Sequence, residues 1–292
     1  MIWTLTTVQQ ALLFGATIVV TGASAWALWI RPALRNGTGP EQEHAVEGVE
    51  ARVARIAWRA AMIVLIAWAL RGAAQLLAFR DPFAPLREDV SLLLFQTFWG
   101  TVWMAQGVVA VFLVLLLTGR ARWPLAIVAN TALIATISMS SHAMGADNQV
   151  LTVTADGLHV LAAGLWMGTL AIILIASRGT TGPTLLAHQI RRFSPMALGS
   201  GGVLVLAGAA LSWAHLPEIQ ALWTTAYGRL LSAKIVAALV ALALGFLNWR
   251  TGIPVVDTDD GARGVRRRAT LEVAAAAGVV LLTAVLVHTA QP

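Results

Sequence analysis

Apolar residues gather into eight long runs, at roughly 8–30, 56–79, 91–117, 124–143, 151–177, 195–215, 229–249 and 269–288. Charged positions fall mostly between them. A helix needs about 20 mainly apolar residues to cross the hydrocarbon core of a bilayer. A membrane barrel would instead show segments of about ten alternating residues. The runs therefore predict an all-α fold, a polytopic membrane helix bundle of about eight transmembrane helices. Such a bundle uses nearly the whole chain and leaves no room for a sizeable soluble domain. Gly164, Gly168 and the stretch Gly199–Gly202 suit close helix packing. No clear internal repeat is visible. A division into an N-terminal four-helix membrane half (1–150) and a C-terminal four-helix membrane half (151–292), within one integral domain, is expected.

Composition agrees with this reading. Apolar residues make up 58% of the chain and charged residues 12%, whereas soluble domains are nearer a quarter charged. The net charge of +6 would suggest nucleic acid in a soluble protein. Here the positive charge sits between apolar runs, so nucleic acid is not expected as a partner and the lipid bilayer is. Fifteen of the nineteen arginines lie in or beside the odd-numbered links, while the even links hold Arg80, Arg87 and Arg229. Cytoplasmic loops are enriched in Arg and Lys. The odd links are thus expected in the cytoplasm and both termini in the periplasm, in a multi-pass bacterial inner-membrane protein. The acidic segment Glu41–Glu50 is read as a solvated helical extension of the second span, and 251–268 as a polar, flexible loop. No cleavable signal peptide is expected, since the N-terminus lacks a basic region. The chain contains no cysteine, which excludes disulfides, thiolate metal sites and CxxC redox chemistry.

The remaining polar residues carry the chemistry. His44 and His188 fall in cytoplasmic segments. His142, His159, His215 and His288 fall at or near the outward ends of four different helices. Imidazole suits copper, zinc, iron and nickel, and bundles build metal sites from facing helices. Interfacial histidines are also common without any ligand, most plainly so for His215. Met139 and Met144 flank His142, and thioethers select Cu(I), although methionine is equally an ordinary core filler. Asp156 and His159 stand one turn apart and share a helical face, which Trp166 extends. An acid near a membrane span is costly and usually paired. Asp156 can orient His159, ligate the metal, or simply cap a helix N-terminus. Lys234 lies inside the seventh run at a similar inferred depth, so an Asp156–Lys234 contact is expected. Arg71 and Gln75 can line the same vestibule. Asn248 and Glu272 lie near cytoplasmic ends, where they mark an exit or serve as caps and interhelical hydrogen bonds. No GxxxxGK[ST], GxSxG or HExxH motif occurs. ATP-driven pumping and hydrolytic chemistry have no support, and the protein is expected not to be an enzyme.

Four segments resemble the copper resistance protein D (CopD) family of bacterial inner-membrane proteins. They are Ser141–Ala143, Asp156–Leu170 (DGLHVLAAGLWMGTL), Arg229–Trp249 and Arg267–Thr289. They come in the family's order and cover about half the chain. The Asp-x-x-His…Trp-x-Gly run and the terminal Val-His-Thr are specific in combination. The first four spans match by hydropathy and layout. The resemblance implies an eight-helix protein that handles copper, with import from periplasm to cytoplasm, beside a separate periplasmic copper-binding partner of the CopC type. It implies functional roles for His142, Asp156, His159, Lys234 and His288. It leaves the copper oxidation state open.

Two other functions compete. Paired histidines can hold haem b, making a membrane electron carrier, although no inner histidine is evident for a path across the bilayer. A copper-binding assembly factor would bind the metal without moving it.

Overall fold

The computed structural model of the protein describes residues 2–37, 39–141, 148–178, 182–216 and 218–290. Nearly all of them are helical. We number the helices α1 (Thr4–Gly37), α2 (Pro40–Phe79), α3 (Leu86–Phe95), α4 (Phe98–Leu117), α5 (Trp123–Met139), α6 (Gln149–Ala176), α7 (Pro183–His215), α8 (Ala226–Val255) and α9 (Asp259–Leu286). Seven of these (α1, α2, α4, α6, α7, α8 and α9) are long and apolar enough to cross a membrane, and α5 is a shorter apolar helix of 17 residues. The eight apolar runs thus correspond to seven candidate spans and one shorter helix.

Local sequence sets where the helices begin and break. The third run is interrupted before Phe98. Thr97 caps α4 by accepting a hydrogen bond from the Gly100 amide at 2.9 Å. A Cβ on Gly100 would stand 2.0 Å from the Leu93 carbonyl oxygen, so only glycine lets the end of α3 fold back on α4. The expected flexible loop at 251–268 is ordered instead. A π turn at Asn248–Gly252 and a 3-10 turn at Ile253–Val255 lead into α9, which starts at Asp259. Thr258 caps α9, Asp259 and Asp260 complement its dipole, and Asp257 pairs with Arg191. Polarity alone concealed these devices. The acidic Glu41–Glu50 segment is helical as expected, and Glu50 there forms a two-pronged pair with Arg35 at 2.6 and 2.7 Å.

Helix α1 is the central strut. It packs against α2, α5, α6 and α9. Its crossing with α6 is a backbone contact. A Cβ on Gly22 would stand 2.0 Å from the Gly168 carbonyl carbon, and one on Gly168 would stand 2.1 Å from the Ile18 oxygen. Gly168 closes a π turn, Gly164–Gly168, that interrupts α6 at this crossing. A second π turn, Trp26–Ile30, interrupts α1. There the Trp26 Nε1–H donates to Gln189 Oε1 at 2.9 Å, and Gln189 Nε2 donates to Ser177 Oγ at 2.9 Å. All three residues are buried. Gln189→Leu keeps the volume but leaves the indole N–H unpaired. It is expected to cost about 1–3 kcal/mol, read as a lower thermal unfolding midpoint in detergent with the copper content unchanged.

Candidate functional site

In the C-terminal half, polar side chains of α6, α8 and α9 meet in two clusters beside α7. The outer cluster starts with α6, which Asn148 caps by accepting from the Leu151 amide at 3.1 Å. Asp156 and His159 follow two and three turns into the helix. His159 turns toward α7, where the absent side chain of Gly208 makes room for the ring. A Cβ on Gly208 would stand 3.2 Å from Cε1 and 3.5 Å from Nδ1. The ring hydrogen-bonds to the backbone at Leu204. Its Nδ1 is buried and has no partner among the described residues. From α8, the Lys234 ammonium interacts electrostatically with both Asp156 and His159. Two helices, α6 and α8, therefore contribute to one cluster of ionisable groups, and α7 supplies the backbone against which the ring lies.

His288 lies two residues beyond the end of α9. It is half-buried, and its Nε2 is buried without a partner among the described residues. Met139 is the last residue of α5 and is exposed. His215 ends α7, and its side chain lies outside the described residues, as do His142 and Met144. Among the described residues, no three of His, Asp and Glu converge as a metal-binding group.

Arg71 ties α2 to the end of α5. It reaches from α2 to donate to Ser140 Oγ at 2.8 Å and to the Ser140 carbonyl at 2.7 Å, with its guanidinium 5.8 Å from the Trp99 ring centroid. The end of α5 is thereby tied to α2 immediately before the Ser-His-Ala-Met segment. The sequence had offered Arg71 only as a vestibule lining.

The second, inner cluster was not foreseen as a unit. Trp166 Nε1–H donates to Glu272 Oε1 at 2.9 Å, and Asn248 Nδ2 donates to Glu272 Oε2 at 3.3 Å. Arg268 Nε donates to Asn248 Oδ1 at 2.9 Å. Glu272 is only 2% exposed. A Cβ on Gly245 would stand 3.0 Å from Glu272 Oε1 and 3.1 Å from Trp166 Cζ2, so this glycine admits both groups. Trp166 faces α7 at Gly201, seven residues before Gly208, just as it stands seven residues after His159 on α6. The outer and inner clusters thus lie on one face of α6. The available signal was the carboxylate itself, since an acid inside an apolar run is expected to have interior partners.

The fold and these clusters define a multi-pass α-helical membrane protein with ionisable side chains in two clusters within its C-terminal half. Residues 1–150 match the copper resistance protein D-like N-terminal domain, and residues 187–286 match copper resistance protein D. The chain belongs to the copper resistance protein D family and is a multi-pass membrane protein. It is 26% identical over 211 residues to the copper transport protein CutJ of Bacillus subtilis (strain 168), an alignment covering 68% of this chain and 38% of CutJ. The chain therefore spans well under half of that relative's length. No solved structure matches it at a significant level.

Proposed function

We propose that the protein imports copper across the bacterial inner membrane, receiving the ion at the periplasmic ends of α5, α6 and α9 and passing it inward between the helices of the C-terminal half. The reading rests chiefly on His159. Its ring is held at the α7 backbone, while a buried Nδ1 stays bare. A metal-ligating histidine typically uses one nitrogen for the ion and the other for a backbone carbonyl or carboxylate. The bare Nε2 of His288 and the family's copper chemistry support the same reading. His142, Met139 and Met144 supply the remaining ligands from the end of α5 and the segment that follows, Asp156 adds a negative charge, and His215 stands at the rim. The thioethers favour Cu(I). Lys234 tempers the site: a cation facing Asp156 keeps the net field low, and a transit site must release what it binds. Trp166 and Asn248 line the way inward. The arginine bias supports an orientation with both termini on the periplasmic side, where a separate CopC-type protein would deliver the metal.

The test is elemental analysis of protein purified in detergent, followed by copper uptake into proteoliposomes. Bound copper with time-dependent uptake is expected. Binding without uptake would make the protein an assembly factor, and a haem absorption band would make it an electron carrier. Asp156→Asn is expected to weaken copper retention about 10–100-fold without loss of folded protein, measured by competition with a calibrated chelator. Unchanged retention would remove Asp156 from the site.

A further inference from the structure

Glu272 is buried in the inner cluster and takes no part in the copper site proposed above. Its two oxygens are held by neutral donors, Trp166 Nε1 and Asn248 Nδ2. The surroundings offer little to balance a permanent negative charge. On its own helix, Arg268 stands one turn away and directs its Nε to Asn248 rather than to the carboxylate. From α8, Lys234 belongs to the outer cluster and Arg250 lies beyond Asn248 in the π turn. In α6, residues 160–176 carry no titratable group, and Asp156 and His159 lie with Lys234. In α7, Arg191 pairs with Asp257, Arg192 covers Trp29 at 5.2 Å, and His188 lies against Gly37. Residues 4–30 of α1 contain no ionisable side chain. An uncompensated charge at such a site is expensive, while a neutral carboxyl is not.

The hydrogen bonds suit both states. A carboxylate accepts from Trp166 and Asn248. A protonated carboxyl still accepts from Trp166 at one oxygen and from Asn248 at a free lone pair of the other, with its own proton turned away from the amide. The bare metal is a poor fit, because both oxygens are already engaged by N–H donors. Trp166 connects this group to the outer cluster, since it shares a face of α6 with His159. Between them begins the π turn Gly164–Gly168, a place where a helix can change register.

We propose that Glu272 is a proton-binding site, loaded and unloaded from the arginine-rich side, whose protonation accompanies copper passage through the outer site. The step transfers one proton from water to a carboxylate oxygen and back, with no other bond changed. This coupling rests on the import reading; the proton site itself does not. By linkage, one proton per copper makes the transport equilibrium respond up to about tenfold per pH unit.

Two measurements test it. The first is infrared difference spectroscopy of copper-free protein titrated across about pH 4 to 9, a range wide enough for a buried carboxyl. A protonated-carboxyl band that comes and goes with pH is expected in the wild type. It should be absent in Glu272→Gln, which retains an acceptor for Trp166, and moved in frequency in Trp166→Phe, which removes one hydrogen bond. An unchanged band in both variants overturns the proton site, whatever copper does. The second is copper uptake into proteoliposomes under an imposed pH gradient. Wild-type uptake should follow the gradient, and Glu272→Gln uptake should vary less than about twofold across it. Equal dependence in both overturns the coupling. Absence of copper binding in the wild type would strike the import reading instead and leave the infrared result standing.

Discussion

Purified His159→Ala and His288→Ala proteins are expected to lose their copper, and cells expressing either at wild-type protein level should accumulate no more copper than cells lacking the protein. The two rings come from α6 and from the segment after α9, and each has a buried nitrogen without a protein partner. A buried imidazole with a bare nitrogen forgoes a hydrogen bond of roughly 1–3 kcal/mol, a cost that a bound ion offsets. Removing a group that supports a ligand typically costs 10–100-fold in affinity, so removing a ligand itself should exceed about 100-fold. The folded state should tolerate the change, because His159 lies against the open position of Gly208 and His288 lies past the helix end. His44→Ala, in the acidic helical extension, is the matched control and should retain full copper. Full copper retention in both His159→Ala and His288→Ala would sink the import site.

The largest effect on folding is expected from Gly168→Val. A Cβ at this position would stand 2.1 Å from the Ile18 carbonyl oxygen, and the neighbouring backbone belongs to Gly22, which has no side chain to move aside. Neither strand of the contact can yield without separating α1 from α6, and α1 packs against four other helices. Overpacking a core usually costs about 1–3 kcal/mol when side chains can shift. A clash of backbone on backbone should exceed that. The expected outcome is almost no monodisperse protein after detergent extraction. Gly15→Ala, also on α1 but with nothing within 4 Å of its Cβ position, should behave as wild type. If Gly168→Val were as stable as Gly15→Ala, the close α1–α6 crossing would be wrong.

The inner network shows why part of the site escaped a linear reading. Glu272 and Asn248 were visible as polar residues near helix ends, and Trp166 as an extension of the His159 face. Nothing in the order of residues says that an indole on α6 meets a carboxylate on α9 that an amide on α8 also holds. The joining element is Gly245, whose lack of a side chain admits both groups, and an isolated glycine in an apolar run gives no hint of what it faces.

The sequence by itself determined the helical class, the places where apolar runs begin and end, and the types of ligand present. These depend on local quantities: hydropathy over about 20 residues, the one-turn spacing of Asp156 and His159, and the absence of cysteine. Tertiary structure alone decided that Lys234, expected beside Asp156, also faces His159, that Arg71 ties down Ser140, that Gly22 and Gly168 bring two backbones together, and that Glu272 is buried between Trp166 and Asn248. Such pairings depend on how helices rotate and cross. Inside a bilayer the hydrophobic effect supplies no preference for one apolar face over another, so close packing at small residues and interhelical hydrogen bonds set the rotation.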